Sequence, residues 1–227
     1  MATGNLTPLQ TRILELLACV EPRWTLTGGG AMVGFHATHR LTKDIDLFWR
    51  DRALLGELPR LCTELLVQSG LECEVLTTSP AFVRWRVKCG DESCILDLVA
   101  DPVRPVHAPQ TRTIGSVSFQ VDSPEEILIN KLVALLSRSE LRDLADLKQL
   151  LELGLDLRAG VDAAPRKDAG FSPLTLAWLL HSFPMNKVAE RAEFPPEKLR
   201  ELDDFRRSLA ERLIGFSNPG DRVCERP

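Results

Sequence analysis

Three consecutive glycines, Gly28-Gly29-Gly30, stand between a short strand-like segment, residues 24–27, and a segment, 31–36, that suits a helix. A glycine turn that ends a strand and opens a helix lets backbone N–H groups approach an anion, with the positive end of the helix dipole behind them. A Cβ would block both the turn and the approach. After Arg40 the pattern changes to Ile45, Leu47 and Phe48 around Asp44 and Asp46, which predicts a strand of a partly buried sheet. On a strand both carboxylates project from one face, about 6.6–6.8 Å apart at the backbone, while Ile45 and Leu47 point into the core. Two acids on one face repel unless a cation neutralises them. An all-oxygen set of this kind suits Mg²⁺ or Mn²⁺, held through one or two carboxylates together with substrate phosphates. A lone Asp-x-Asp is common on solvated surfaces, and three glycines are more often only a turn. The combination within one strand-turn-helix-strand unit is what points to a phosphate cradle beside a metal pair.

The rest of the chain supplies a scaffold for such a unit. Leu9, Ile13, Leu16, Leu17 and Val20 recur at helical spacing behind a Thr7 cap and Pro8, predicting a helix over 8–20. A second helix is expected over 54–69, ending at Gly70. Strands follow at 72–76, 81–88 and 93–99, the last two joined by a turn at 89–92, as a meander beside the first strands. Pro102, Pro105 and Pro109 punctuate a loop, and 114–121 reads as one further short strand. Ser123-Pro124-Glu125-Glu126 then starts a helix carrying Ile127, Leu128, Leu132, Leu135 and Leu136 on one face. Helices are expected at 141–153, 173–182 and 196–214, with a polar, mobile connection over 154–170 and a disordered tail at 217–227. The expected fold class is therefore α+β: a mixed sheet domain flanked by helices over 1–121, followed by a helical domain over 122–216.

Composition narrows the function classes. The chain has 227 residues, of which 44% are hydrophobic and 26% charged, an ordinary globular balance with no apolar run long enough to span a membrane. No secretory signal pattern opens the sequence, so the expected location is the cytoplasm. The six cysteines form no Cys-x-x-Cys and have no histidine at finger spacing, so they are expected to be reduced, mostly buried thiols. His36 and His39 lie three apart, but the aspartates suit a harder ion than a histidine site would take. A formal charge of −4 argues against non-specific coating of nucleic acid. Local basic clusters at 84–88 and 138–142 remain compatible with binding a phosphate or an RNA end.

Thr27-Gly28-Gly29-Gly30-Ala31-Met32 and His39-Arg40-Leu41-Thr42-Lys43-Asp44-Ile45-Asp46-Leu47-Phe48 resemble the first motif of the AbiEii/AbiGii-type nucleotidyltransferase toxins, within the DNA polymerase β-like nucleotidyltransferase superfamily. The usual motif is Gly-Gly-Thr-Ala-Leu followed by His-Arg-x-Ser/Thr-x-Asp-Ile-Asp-Leu-Phe. Gly30 here replaces the threonine and Met32 the leucine, so a hydroxyl contact to phosphate is missing at position 30. The resemblance implies a third carboxylate, which the Leu96-Asp97-Leu98-Val99 context assigns to Asp97. It also implies a helical motif, matched by Lys131, Arg138, Arg142, Asp143 and Asp146. Asp101, just before Pro102, competes with Asp97 but belongs more naturally to the loop. For Lys131 two readings stand side by side: contact with a nucleotide's triphosphate, or an ion-pair network with Asp143 and Asp146 that holds two helices together.

The resemblance implies an NTP-dependent nucleotidyltransferase with its active site in the cleft between the two domains. Asp44, Asp46 and Asp97 would serve as metal and catalytic residues; Gly28, Gly29, Arg40 and Lys131 would contact the nucleotide, with Arg142, Asp143 and Asp146 in support. RNA or tRNA is the expected acceptor, in a toxin paired with a cognate antitoxin. The alternatives are transfer to a small molecule or to a protein, and a catalytically silent nucleotide-binding regulator.

Overall fold

The computed structural model of the chain describes residues 4–37, 39–192 and 196–216. The expected tail at 217–227, with Cys224, lies outside these residues. Two compact units divide the chain, the first ending at Ile127 and the second beginning at Leu128.

In the first unit α1 (Pro8–Leu17) is closed by a capping box, in which Thr7 Oγ1 accepts from the Gln10 amide and Gln10 Oε1 accepts from the Thr7 amide. β1 (Thr25–Thr27) runs directly into the short α2 (Gly28–Ala31), which continues as a π-helical turn over Met32–His36. β2 (Asp44–Trp49) follows, then α3 (Leu58–Gln68), which starts later than expected because the Leu58 amide closes a turn onto Leu55 O with Gly56 at φ +57°. The meander is present as β3 (Glu72–Ser79), β4 (Phe82–Cys89) and β5 (Glu92–Ala100). The single strand expected over 114–121 is a correction. The segment belongs to a hairpin of β6 (Gln110–Ile114) and β7 (Val117–Val121), because Gly115 takes φ +54° and reverses the chain.

The strands form one seven-stranded sheet in the order β3-β4-β5-β2-β1-β7-β6. It is mixed: β2 runs parallel to β5 and β1 parallel to β7, while the other neighbours are antiparallel. Alternation gives the sheet two unlike faces. Ile45, Leu47, Trp49, Val83, Trp85, Val87, Leu96 and Leu98 are buried on one, with α1 packed on β5 and α3 packed on β3. Of the three buried indoles, Trp24 Nε1 donates to Leu17 O and Trp49 Nε1 to Pro22 O, each at 2.8 Å. The opposite face carries Asp44, Asp46 and Phe48, all half-buried.

The second unit is helical. α4 (Pro124–Ser137) begins in the first unit behind Ser123, whose Oγ accepts from the Glu126 amide, and α5 (Leu141–Glu152) follows. The mobile connection expected over 154–170 is also corrected. It contains α6 (Leu157–Ala163) and a 3₁₀ turn over Ala164–Arg166. Leu157, Val161 and Ala164 are buried at helical spacing, and Gly160 lies so close to Leu128 that a Cβ would stand 2.9 Å from its Cδ2. Then come α7 (Pro173–His181), an unanticipated α8 (Met185–Ala192) and α9 (Pro196–Gly215). Among the described residues no helix is long and apolar enough to cross a membrane. The five described cysteines are free, and only Cys62 and Cys94 are buried, fewer than expected.

Candidate active site

The polar face of the sheet is organised as a row across four central strands and on to the residue that follows β7. Register pairs Arg84 on β4 with Asp97 on β5, Asp97 with Asp46 on β2, and Asp46 with Thr27 on β1. Thr27 Oγ1 continues the row, donating to Asp122 Oδ2 at 2.5 Å. Asp44 sits one alternation from Asp46, opposite Ile95. The parallel pairing of β2 with β5 therefore places Asp97 directly beside the Asp44-x-Asp46 pair.

The glycine turn is built against the same carboxylates. Gly28 has φ +61°, and a Cβ there would collide with Asp46 Oδ2. This position requires glycine twice over, for its left-handed backbone and for the room it leaves the carboxylate. A Cβ on Gly29 would stand 3.0 Å from Arg40 Nη2 and 3.0 Å from Thr42 Oγ1, so the loop before β2 lies against the turn. Gly30 is buried, with Leu26 Cδ1 3.3 Å from its Cβ position, which leaves little room for the family's usual threonine.

The 39–43 loop is pinned by the N-terminal segment. Asn5 Nδ2 donates to Arg40 O at 2.9 Å, and buried Gln10 Nε2 donates to Thr42 O at 3.0 Å. Thr42 Oγ1 lies 3.3 Å from both the amide N and the carbonyl O of Asp44, and Lys43 O accepts from the Ile95 amide. Asp44 thus enters β2 from a fixed loop, as precise ligation or positioning requires.

Asp97 is 4% exposed, and both of its oxygens are taken by one residue. Arg84 Nε donates to Oδ1 at 2.8 Å and Nη2 to Oδ2 at 2.6 Å, a bidentate pair. The bonds Arg84 donates to Asp97, and the charges of Asp97, Asp44 and Asp46, raise the guanidinium pKa above its ordinary value against the opposing effect of desolvation. Among the described residues no three His, Cys, Asp or Glu side chains converge as a ready metal cage. Even so, the donor chemistry fits a hard divalent cation. Asp44 and Asp46 offer the one or two carboxylates that Mg²⁺ takes alongside phosphates, and Arg84 is a cation already drawn to the set.

A second arginine braces the far side. Arg50 lies on the Asp44–Asp46–Phe48 face, with its Cζ 4.9 Å from the Phe48 ring centroid. Its Nη1 reaches Asp101 Oδ2 at 3.3 Å and its Nη2 reaches fully buried Asp122 Oδ2 at 3.0 Å. Asp101 Oδ1 also accepts from the Val103 amide, so Asp101 organises the loop after β5. His36 Nε2 lies 2.8 Å from Asp122 O, and burial lowers its pKa despite that bond. The thiols of Cys62 and Cys94 are pushed up to about 12 by burial, which leaves them protonated and poor nucleophiles.

In the second unit Lys131, Asp143 and Asp146 are brought together with Arg138. Lys131 Nζ is 2.6 Å from Asp143 Oδ1 and 2.7 Å from Asp146 Oδ2, all three side chains being buried. Arg138 adds Nε to Asp143 Oδ2 at 2.6 Å and Nη2 to Oδ1 at 3.1 Å. Burial alone would raise the Asp143 pKa, but the charges and hydrogen bonds of Lys131 and Arg138 hold it below the usual carboxylate value. Arg142 is half exposed, with Nη2 4.0 Å from Glu140 Oε2.

Comparison with known proteins bears on the fold and the family. The solved structure of MenT4, a nucleotidyltransferase toxin from Mycobacterium tuberculosis, is similar in fold with a TM-score of 0.59 at 16% identity, covering 92% of this chain and 85% of that one. JHP933 from Helicobacter pylori aligns over 89% of each chain at 18% identity with a TM-score of 0.48. Among curated proteins none matches. The family described as nucleotidyl transferase AbiEii toxin, type IV TA system, matches residues 15–213. With a nucleotidyltransferase-like mixed sheet and a family match over most of its length, the chain belongs to the AbiEii nucleotidyltransferase toxin family and is a nucleotidyltransferase.

Proposed function

We propose that the protein moves a nucleoside monophosphate from an NTP to a hydroxyl of RNA, with the 3′ end of tRNA as the acceptor, and that it does so with Mg²⁺ or Mn²⁺ as a toxin held in check by a cognate antitoxin. The observation that carries the donor half is the fit of Gly28 to Asp46: the turn suited to phosphate and the carboxylate suited to metal are one packed unit. The family supports the toxin half.

Asp44 and Asp46 would hold the cation, which when bound neutralises phosphate charge and polarises the α-phosphorus. The backbone of Gly28 and Gly29 cradles phosphate, since the first N–H groups of a helix have no intrahelical acceptor. Arg40, beside Gly29, adds a positive charge at that turn. Asp97, beside Asp46, completes the carboxylate set and takes the proton of the attacking hydroxyl. In-line attack forms the new phosphodiester bond and releases pyrophosphate with no covalent enzyme intermediate. Lys131, with Asp143 and Asp146, serves chiefly to fix α4 against α5. Its contact with a triphosphate remains a separate proposal, tested by nucleotide affinity.

The test is to incubate the pure protein with each α-labelled NTP, Mg²⁺ and total RNA, and to resolve the products on a denaturing gel. Label entering the tRNA band supports the reading. Label on protein or on a small molecule, with none in RNA, would transfer the proposal to those acceptors.

A further inference from the structure

Arg84 has no part in the mechanism above, yet it holds both oxygens of a carboxylate in that mechanism. We infer that Arg84 is a built-in lock on Asp97, a positioning residue that a divalent cation must displace before the third carboxylate can join the site. The inference rests on the metal-dependent reading of Asp44, Asp46 and Asp97.

Geometry sets which partner moves. Asp97 is fixed in the middle of the sheet with its side chain 5% exposed, whereas the Arg84 side chain is 46% exposed on a strand one position nearer the edge. Arginine can swing outward without opening the core; the aspartate cannot. The Phe82 ring, whose centroid is 5.7 Å from Arg84 Cζ, offers the guanidinium a face to rest on.

Charge gives the lock its purpose. Three carboxylates on adjacent register positions repel one another, and one guanidinium relieves part of that repulsion in the metal-free protein. The same bonds take one acceptor site on each Asp97 oxygen, and the guanidinium charge beside them weakens the carboxylate's pull on a cation or an acceptor proton. Arrival of a divalent cation supplies the charge that Arg84 had supplied and releases Asp97. Arg86 is a natural control. It lies on the same strand and face, but its Nη1 is 2.8 Å from Glu74 Oε2 and its register partner on β5 is Ile95.

The test is Mn²⁺ titration of the full chain by calorimetry, without nucleotide, on six proteins: wild type, Arg84→Gln, Arg86→Gln, Asp97→Asn, the Arg84→Gln/Asp97→Asn double variant, and Asp44→Asn. Circular dichroism checks folding, and Arg84→Lys, which keeps the charge but loses the two-pronged grip, serves if the glutamine variant is unstable. Arg84→Gln should bind Mn²⁺ about tenfold more tightly than wild type, equivalent to about 1.4 kcal/mol. Arg86→Gln should not. In the Asp97→Asn background, removing Arg84 should bring no gain, because the lock acts through Asp97. Unchanged affinity in Arg84→Gln, or an equal gain with and without Asp97, overturns the lock. If Asp44→Asn still abolishes binding in that event, the metal reading survives alone; if no variant binds Mn²⁺, both readings fall.

Discussion

Asp46 and Asp97 are direct register partners on two parallel strands, so two carboxylates far apart in the chain stand side by side on the polar face of the sheet. Antiparallel β1 brings Thr27, and with it the glycine turn, to the other side of Asp46. The site is thus a consequence of strand order: β2 lies between β5 and β1.

Gly28→Ala is expected to damage activity more than its small size suggests. The new Cβ meets Asp46 Oδ2, and φ +61° adds backbone strain of about 1–3 kcal/mol. A misplaced carboxylate should lower kcat/KM for NTP about 100-fold. Gly29→Ala, which meets only the ends of the Arg40 and Thr42 side chains, should be milder. Steady-state kinetics on both variants checks the order, and equal effects would argue against the Gly28–Asp46 fit.

Asp122→Asn should destabilise the first unit by about 1.5–3 kcal/mol, the range for a hydrogen bond to a charged group. The buried carboxylate accepts from both Thr27 and Arg50, and the amide cannot neutralise Arg50. Urea unfolding measures the loss. A stability equal to wild type would show that the Arg50 brace contributes nothing.

Lys131→Met leaves Asp143 and Asp146 buried without their shared cation, a change expected to cost about 3–5 kcal/mol. Arg138 still reaches Asp143, so the lower end of that range is expected. Nucleotide affinity measured on the same variant separates the two readings of Lys131: a stability loss with unchanged affinity assigns it to the network alone.

The Asp143 network also sets an acid limit. Its folded-state pKa lies below the ordinary 3.8, so it contributes stability above the unfolded value and loses it as pH falls through the folded one. The melting-temperature gap between wild type and Asp143→Asn should be full above about pH 5 and close below about pH 4. A gap that stays constant from pH 7 to pH 3 would contradict this.

The part of this architecture legible in the sequence is the part carried by local pattern. Alternation of Asp44, Ile45, Asp46 and Leu47 gave the two-faced strand, and the apolar context of Asp97 marked a polar residue on a buried strand. Segments with weak pattern were misread. Gly115 hid a hairpin reversal, and the charged residues of 154–170 masked the buried Leu157–Val161–Ala164 stripe of α6. Pro184 and the charges at Lys187 and Glu190 likewise disguised α8. Arg84 was missed for a different reason. Its partner is set by hairpin register: the closing pair Cys89↔Glu92 already puts Arg84 opposite Asp97. Gln10 and Asn5, which pin the loop before Asp44, act over distances that no local spacing reveals.

The most direct measurement is transfer of label from α-labelled NTP by Asp46→Asn, an isosteric change, compared with wild type at matched folded concentration. Loss of a residue that holds the cation should reduce the transfer rate by about 100-fold or more, with Asp44→Asn giving the same result. An Asp46→Asn protein that transfers nucleotide at the wild-type rate would contradict the assignment of the Asp44–Asp46 pair to the chemistry.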